Sequence, residues 1–264
     1  MNRIEQSLAV LQEKKEKAFI TYMTAGLPDY DKTKALIRVQ ERAGTDIIEL
    51  GIPFSDPVAD GPVIQAASYD AIQAGASLSK TFVCMKELRE EGVNIPIIFM
   101  MYYNTVLHYG LKDFVRQCEA CGVDGLIIPD LPFEEQEELT LALGESDATI
   151  LIPLVSPVSK KRVPMLLEKA RGFVYCVSSM GVTGQENGFH REVINYLSYV
   201  KSVSNIPVMM GFGIKNAADV APMAENIDGA IVGSHFIRLL RESDFSGEAA
   251  EKYCSTFKRE LNAL

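Results

Sequence analysis

The sequence predicts an α/β protein built as one (βα)8 TIM barrel with an extra N-terminal helix and additional helices. Three observations predict it. Short apolar, β-branched runs recur eight times along the 264 residues, segments with a helical period separate them, and no Gly/Ser-rich or Pro-rich seam divides the chain, so 1–264 is expected to be a single domain.

The first run, 18–24, follows a stretch in which Ile4, Leu8 and Leu11 fall on one stripe, the signature of a helix ahead of the barrel. Further strands are expected at 47–50, 96–101, 125–129, 149–154, 172–177, 207–211 and 229–232. Between them, Leu36, Val39 and Ala43 repeat with helical spacing, as do Val163, Leu166, Leu167 and Ala170. Val193, Leu197 and Val200 do the same, and so do Val220, Met223, Ala224 and Ile227. Ala249, Tyr253, Phe257 and Leu261 mark a closing helix. Runs that are apolar throughout are buried on both faces, and alternation with helices requires parallel pairing through right-handed crossovers. Eight such units close into a barrel; an open doubly wound sheet is the structural alternative.

Composition narrows the function classes. A formal net charge of −9, with 35 acidic against 26 basic residues, gives no basic footprint for nucleic acid. Residues 1–17 are charged throughout and lack the apolar core of a leader, and no later segment supplies a membrane-length apolar run, so a soluble cytoplasmic protein is expected. Five cysteines in a chain this long read as reduced thiols. Cys118 and Cys121 form a CxxC on a periodic helix with Leu111, Phe114 and Val115, which favours helix packing over redox or metal chemistry.

A barrel places its chemistry at the carboxyl ends of the strands. Strand seven runs into Gly211-Phe212-Gly213-Ile214-Lys215-Asn216, with Asn216 a plausible helix cap and Asp219 three residues on; strand eight runs into Gly233-Ser234. Tight βα turns alone could explain the glycines, but two of them after the last two strands fit a phosphate site, where backbone amides and helix dipoles meet an anion. Glu49 interrupts the apolar run of strand two near its carboxyl end. Burial there raises a carboxyl pKa and suits acid–base work, and none of the eight runs supplies an Arg or Lys to pair with it. Asp56 and Asp60 lie in the Pro- and Gly-punctuated loop that follows; each could face a ligand or cap the helix starting near Pro62. No strand carries a Schiff-base Lys. His108, His190 and His235 show no metal-ligand spacing and read as ordinary loop or helix-start residues, so no metal site is expected.

The stretch 48–61 resembles the signature of tryptophan synthase alpha subunits. The likeness continues through Met101-Tyr102-Tyr103-Asn104, Pro129-Asp130-Leu131-Pro132, Tyr175-Cys176-Val177-Ser178, Gly181-Val182-Thr183-Gly184, Gly211-Phe212-Gly213-Ile214 and Gly233-Ser234, nearly the full length. The resemblance implies a metal-free lyase that cleaves indole-3-glycerol phosphate to indole and glyceraldehyde 3-phosphate in tryptophan biosynthesis. It implies Glu49 as the shuttling acid and base, Asp60 as hydrogen-bond partner of the indole nitrogen, and Tyr175 as an active-site residue that could equally be packing. Gly184, Gly213, Gly233 and Ser234 match phosphate contacts, Phe212 matches the aromatic wall of the indole pocket, and Tyr22, Met100 and Ile127 match its lining. Residues 178–191, with Gly181, Gly184 and Gly188 as hinges, match a lid that carries Thr183 toward Asp56 and Asp60. Ser179 and Met180 depart from a common family version that has Arg after the serine. The implied partner is a beta subunit in an alpha2beta2 complex, which holds pyridoxal phosphate; no cofactor is expected in this chain. Loops two and six and residues near Asn104 and Asp130 are the expected contacts. The alternatives are a phosphate-binding barrel isomerase or epimerase, and a subunit that chiefly binds and activates its partner.

Overall fold

The computed structural model of the chain describes residues 1–144, 146–177, 186–211 and 213–264, with backbone alone for 186–190. Helix α1 (Arg3–Lys14) comes first, started by a capping box between Asn2 and Glu5. The barrel wall then begins with β1 (Ala18–Thr24), α2 (Tyr30–Arg42) and β2 (Ile47–Gly51). Two helices, α3 (Pro62–Gln73) and α4 (Leu78–Glu90), precede β3 (Ile97–Met100); α5 (Tyr103–Tyr109) and α6 (Leu111–Cys121) precede β4 (Gly125–Ile127). The second half holds α7 (Glu137–Leu143), β5 (Ile150–Leu151), β6 (Leu154–Val155), α8 (Val163–Leu167), β7 (Val174–Val177) and α9 (Glu186–Val203). It ends with β8 (Val208–Gly211), α10 (Ala217–Val220), β9 (Gly229–Val232), α11 (Ser234–Glu242) and α12 (Gly247–Leu261).

All strand pairs are parallel, in the order β5-β4-β3-β2-β1-β9-β8-β7-β6. The fifth run, expected as one strand, is two short ones. Pro153 has no N–H to give, and the chain turns from one neighbour to the other around it: Ile152 N–H donates to the Leu126 carbonyl at 2.9 Å, and Tyr175 N–H donates to the Pro153 carbonyl at 2.9 Å. That broken strand closes the ring, so the eight runs form the expected TIM barrel. Two helical segments are also shorter than their periodicity suggests. α8 ends at Leu167, leaving Ala170 outside it, and the stretch expected to be helical through Ile227 passes from α10 into a 3-10 turn over Ala221–Asn226, where Pro222 cannot donate an α-helical bond. His108 lies in the last turn of α5, not at a helix start.

Three apolar layers fix where a site can be. One lies between the strands and the outer helices and includes Cys118, Cys121, Phe114 and Phe257. A second fills the barrel interior with Ile20, Ile47, Ile98, Ile127, Phe173, Met209 and Ile231; Ile4, Leu8 and Leu11 of α1 close it from the amino-terminal end. Gly125 leaves room for this plug, since a Cβ there would sit 2.9 Å from the Ile4 methyl. Tyr22, Leu27, Ala67, Ala71 and Ile237 form a third, smaller cluster at the carboxyl end, against which Met100 packs. With one mouth plugged by α1, the carboxyl mouth is the one left open among the described residues.

Candidate active site

Glu49 points into that mouth. Its backbone sits beside Tyr22 of β1 and Ile98 of β3, and the residue is 1% exposed. Its Oε1 is buried with no hydrogen-bond partner among the described residues. Burial, reinforced by the charge of Asp60, lifts its pKa to about 8. A carboxyl group that is mostly protonated at neutral pH and ready to ionise is the outcome.

Asp60 comes from the loop between β2 and α3, which is shaped by its own backbone: Val58 N–H bonds the Asp56 carbonyl at 2.9 Å and Asp60 N–H bonds the Pro57 carbonyl at 3.1 Å. Neither Asp56 nor Asp60 caps α3. Gly61 occupies that position without a side-chain bond, and Pro62 begins the helix. The Asp60 carboxylate accepts a 3.0 Å hydrogen bond from the Tyr102 hydroxyl, and burial raises its pKa while that bond lowers it. Asp56 instead is exposed and bonded to its neighbour Ser55 at 2.5 Å, beside Val58 at 83% exposure.

Two tyrosines lie across glycines of adjacent strands. A Cβ on Gly51 would sit 2.0 Å from the Tyr22 hydroxyl, and one on Gly211 would sit 2.4 Å from that of Tyr175. In each case the ring leans across the last residue of the next strand, β1 onto β2 and β7 onto β8. Both phenols are raised by burial first and by the carboxylates of Glu49 and Asp60. Tyr175, Met100, Ala59 and Leu154 line a cavity of 410 Å³ with Pro129, Val155, Ser156 and Val177. Ile127 does not line it: the residue is 1% exposed in the barrel interior, among Ile98 and Met209.

The two glycine turns differ. Asn216 and Asp219 form a capping box in which the Asp219 carboxylate takes the Asn216 N–H at 3.1 Å, and that carboxylate also takes the Lys215 N–H at 2.8 Å, so the amides of Lys215, Asn216 and Asp219 around the start of the four-residue α10 are already used. Gly213 adopts φ +55°, a conformation that favours glycine, and nothing lies within 4 Å of where its side chain would be. Helix α11 is open at its start: Gly233 caps it without a side-chain bond, and a Cβ there would meet only Tyr22 at 3.7 Å and Ile64 at 4.0 Å. Packing therefore does not demand glycine at 233, and no side chain caps the first amides of α11. Thr183, Gly184 and Phe212, together with the lid glycines 181 and 188 and residues 179 and 180, fall outside the described residues or side chains. Among the described residues no group of three or more His, Cys, Asp or Glu could hold a metal ion.

Sequence reasoning gave no role to Tyr102. Its hydroxyl joins Asp60 to the wall, yet a tyrosine just past a strand reads as packing, and no local pattern separates the two.

The residues and the barrel agree with what the chain is similar to. The tryptophan synthase alpha chain family model matches residues 8–264. A tryptophan synthase alpha chain from Lachnospira eligens is 63% identical over 264 residues, all of both chains. One from Alkaliphilus metalliredigens is 43% identical over 261 residues, 99% of this chain and 97% of that one. Among solved structures, the tryptophan synthase alpha subunit of Legionella pneumophila superposes with a TM-score of 0.91 at 31% identity, covering 100% of both chains. A ligand-free tryptophan synthase from Mycobacterium tuberculosis gives 0.87 at 31%, covering 99% of this chain and 100% of that one. The chain belongs to the tryptophan synthase alpha chain family, lyase subunits that cleave indole-3-glycerol phosphate to indole and glyceraldehyde 3-phosphate and pair with a beta subunit that carries the pyridoxal phosphate.

Proposed function

We propose that Glu49 is the acid and base of this cleavage and that Asp60 stabilises the charge it creates. Protonated Glu49 gives its proton to the ring carbon that bears the glyceryl chain, and the positive charge spreads to the indole nitrogen. The Asp60 carboxylate accepts the hydrogen bond from that nitrogen and offsets the charge. Glu49, now ionised, takes the proton of the hydroxyl on the adjacent chain carbon. The carbon–carbon bond breaks, its electron pair restores the aromatic ring, and the oxygen becomes the aldehyde of glyceraldehyde 3-phosphate. Tyr175 and Met100 bound the cavity that receives the ring, Tyr22 stands beside Glu49, and the amides of Gly213, Gly233 and Ser234 hold the phosphate.

The observation that carries this reading is the buried Oε1 of Glu49, without a hydrogen-bond partner among the described residues, on a side chain 1% exposed at the carboxyl mouth of the barrel. A group so placed destabilises the fold, and proton transfer gives a reason for it. Glu49→Gln is expected to lose ~10²-fold or more in indole release with the fold intact. The assay is purified chain with indole-3-glycerol phosphate, alone and with a beta subunit. Near-parental turnover of Glu49→Gln in both arms removes the assignment.

One domain carries the reaction, the lid of residues 178–191 closes Thr183 over Asp60, and exposed Asp56, Asn104 and Asp130 meet the beta subunit. A cytoplasmic location is supported by five cysteines that are all free thiols and by the absence, among the described residues, of any helix long and apolar enough to cross a membrane.

A further inference from the structure

We propose that Tyr102 is a positioning residue for the reaction, a strut that fixes the Asp60 carboxylate and the loop bearing it against the barrel wall. The proposal rests on the reading of Asp60 given above. Tyr102 lies two residues past the end of β3, at the cap of α5, and is 4% exposed, so its own position is set by the scaffold. Every contact that its side chain makes in the loop after β2 holds one part of that loop. The hydroxyl donates to Asp60 Oδ2 at 3.0 Å and accepts from Ala59 N–H at 2.9 Å. Its ring stacks on Phe54, with centroids 5.1 Å apart and planes at 23°. One phenol thus uses its donor on the carboxylate, its acceptor on the backbone one residue earlier, and its face on the start of the loop.

This arrangement matters because Asp60 sits in a loop and not on a strand. A carboxylate free to rotate spends little time in the one orientation that meets the indole nitrogen, and sub-ångström misplacement costs rate. The Tyr102 bond also favours the ionised form of Asp60, the form that offsets positive charge. Tyr22 from β1, Glu49 from β2, Tyr102 after β3 and Tyr175 from β7 all face Asp60, and Asp130 acts in turn on Tyr102. No described cation is among these groups, so the phenol is the group that lowers the carboxylate's pKa. Removing it moves the ionisation of Asp60 upward.

Tyr102→Phe keeps the ring on Phe54 and removes both hydrogen bonds, and a melting curve checks that the fold is kept. Indole release from indole-3-glycerol phosphate is measured across pH for the parent, Tyr102→Phe, Asp60→Asn and the double variant, each with the beta subunit present. The expected result for Tyr102→Phe is a kcat lowered about tenfold with KM for the phosphorylated substrate little changed. Its acid limb should move up by roughly half to one pH unit. In the Asp60→Asn background the same change is expected to cost less than about threefold, because the two act as a unit. An equal fractional loss at every pH, with an unmoved acid limb and full additivity with Asp60→Asn, makes Tyr102 merely structural and overturns the proposal. If Asp60→Asn itself retains parental activity, the reading of Asp60 fails instead, a different result from a failing Tyr102→Phe beside an inactive Asp60→Asn.

Discussion

At the scale of single residues, the buried carboxyl of Glu49 weakens the fold, and the sign of the effect follows from its ionisation. Glu49 ionises near its ordinary value of 4.5 when unfolded and at about 8 when folded. Between those values the native state holds the proton and the unfolded state has lost it, so this residue's contribution to stability is full below the unfolded value and is lost as pH rises toward about 8. Glu49→Gln has no such dependence. Urea titrations at about pH 5 and about pH 8.5 should show the Gln variant gaining on the parent, on the order of 3 kcal/mol at the higher pH. A constant difference between the two would mean that the carboxyl is solvated. The glycines beneath Tyr22 and Tyr175 give a second residue-level test. Gly211→Ala puts a methyl 2.4 Å from the Tyr175 ring and hydroxyl, and the ring must leave its place. Activity should fall by ~10-fold or more while a smaller side chain at 175, such as Leu, relieves the loss of stability. If Gly211→Ala melts and turns over like the parent, the close approach of ring and strand is not what places Tyr175.

At the scale of elements, one device recurs at the amino-terminal ends of alternate strands. Asp46, Asp124 and Asp228 precede β2, β4 and β9, and each donates its own N–H to a carbonyl of the previous strand and takes that same residue's N–H with its carboxylate. The partners are Phe19 at 2.7 Å, Ile97 at 2.8 Å and Val208 at 2.7 Å. Each carboxylate also meets a cation from a surrounding helix: Lys258, Arg89 and Lys201 respectively. Ahead of β7, Arg171 pairs with Glu5 of α1 and with Asp147, tying the plug to the wall. The side chains of Asp124, Asp46 and Asp228 are 1%, 14% and 35% exposed, so replacement by Ala should rank in that order. Asp124→Ala leaves Arg89, 11% exposed, with carbonyl acceptors but no counter-charge and should cost about 3 kcal/mol or more, Asp228→Ala about 1. Thermal melts check the order; equal shifts would sink the burial argument. This device also shows what was legible. Apolar runs mark the strands because both their faces are buried, and Glu49 stands out because a charge in such a run needs a reason. The carboxylate clamps were not legible, since each depends on a partner distant in sequence, whereas the break at Pro153 and the short α10 turn on local prolines that the apolar and helical periods mask. At α10, Asn216 reads as a cap, yet that the Asp219 carboxylate also takes the Lys215 N–H appears only in three dimensions.

For the whole molecule, a closed barrel has no edge strand to peel away, because β5 and β6 meet both neighbours around Pro153. Opening any one pair exposes two edges and the interior layer together, so local escape routes are few. The five thiols are placed to report on this. Cys84 lies on α4, Cys118 and Cys121 on α6, Cys176 on β7 and Cys254 on α12; all are free and at most 3% exposed. Burial lifts the thiols of Cys84, Cys176 and Cys254 to about 12 and raises Cys118 and Cys121 as well, leaving little thiolate to react. With excess thiol reagent in native buffer, all five should label together at the rate of global unfolding, and at once in denaturant. Mass spectrometry of the partly labelled chain distinguishes the cases. Cooperative opening leaves only unlabelled and fully labelled molecules, whereas a population carrying Cys176 or Cys254 alone would mean that one wall of the ring opens while the rest holds, and the closure at Pro153 would then not bind the two halves into one unit.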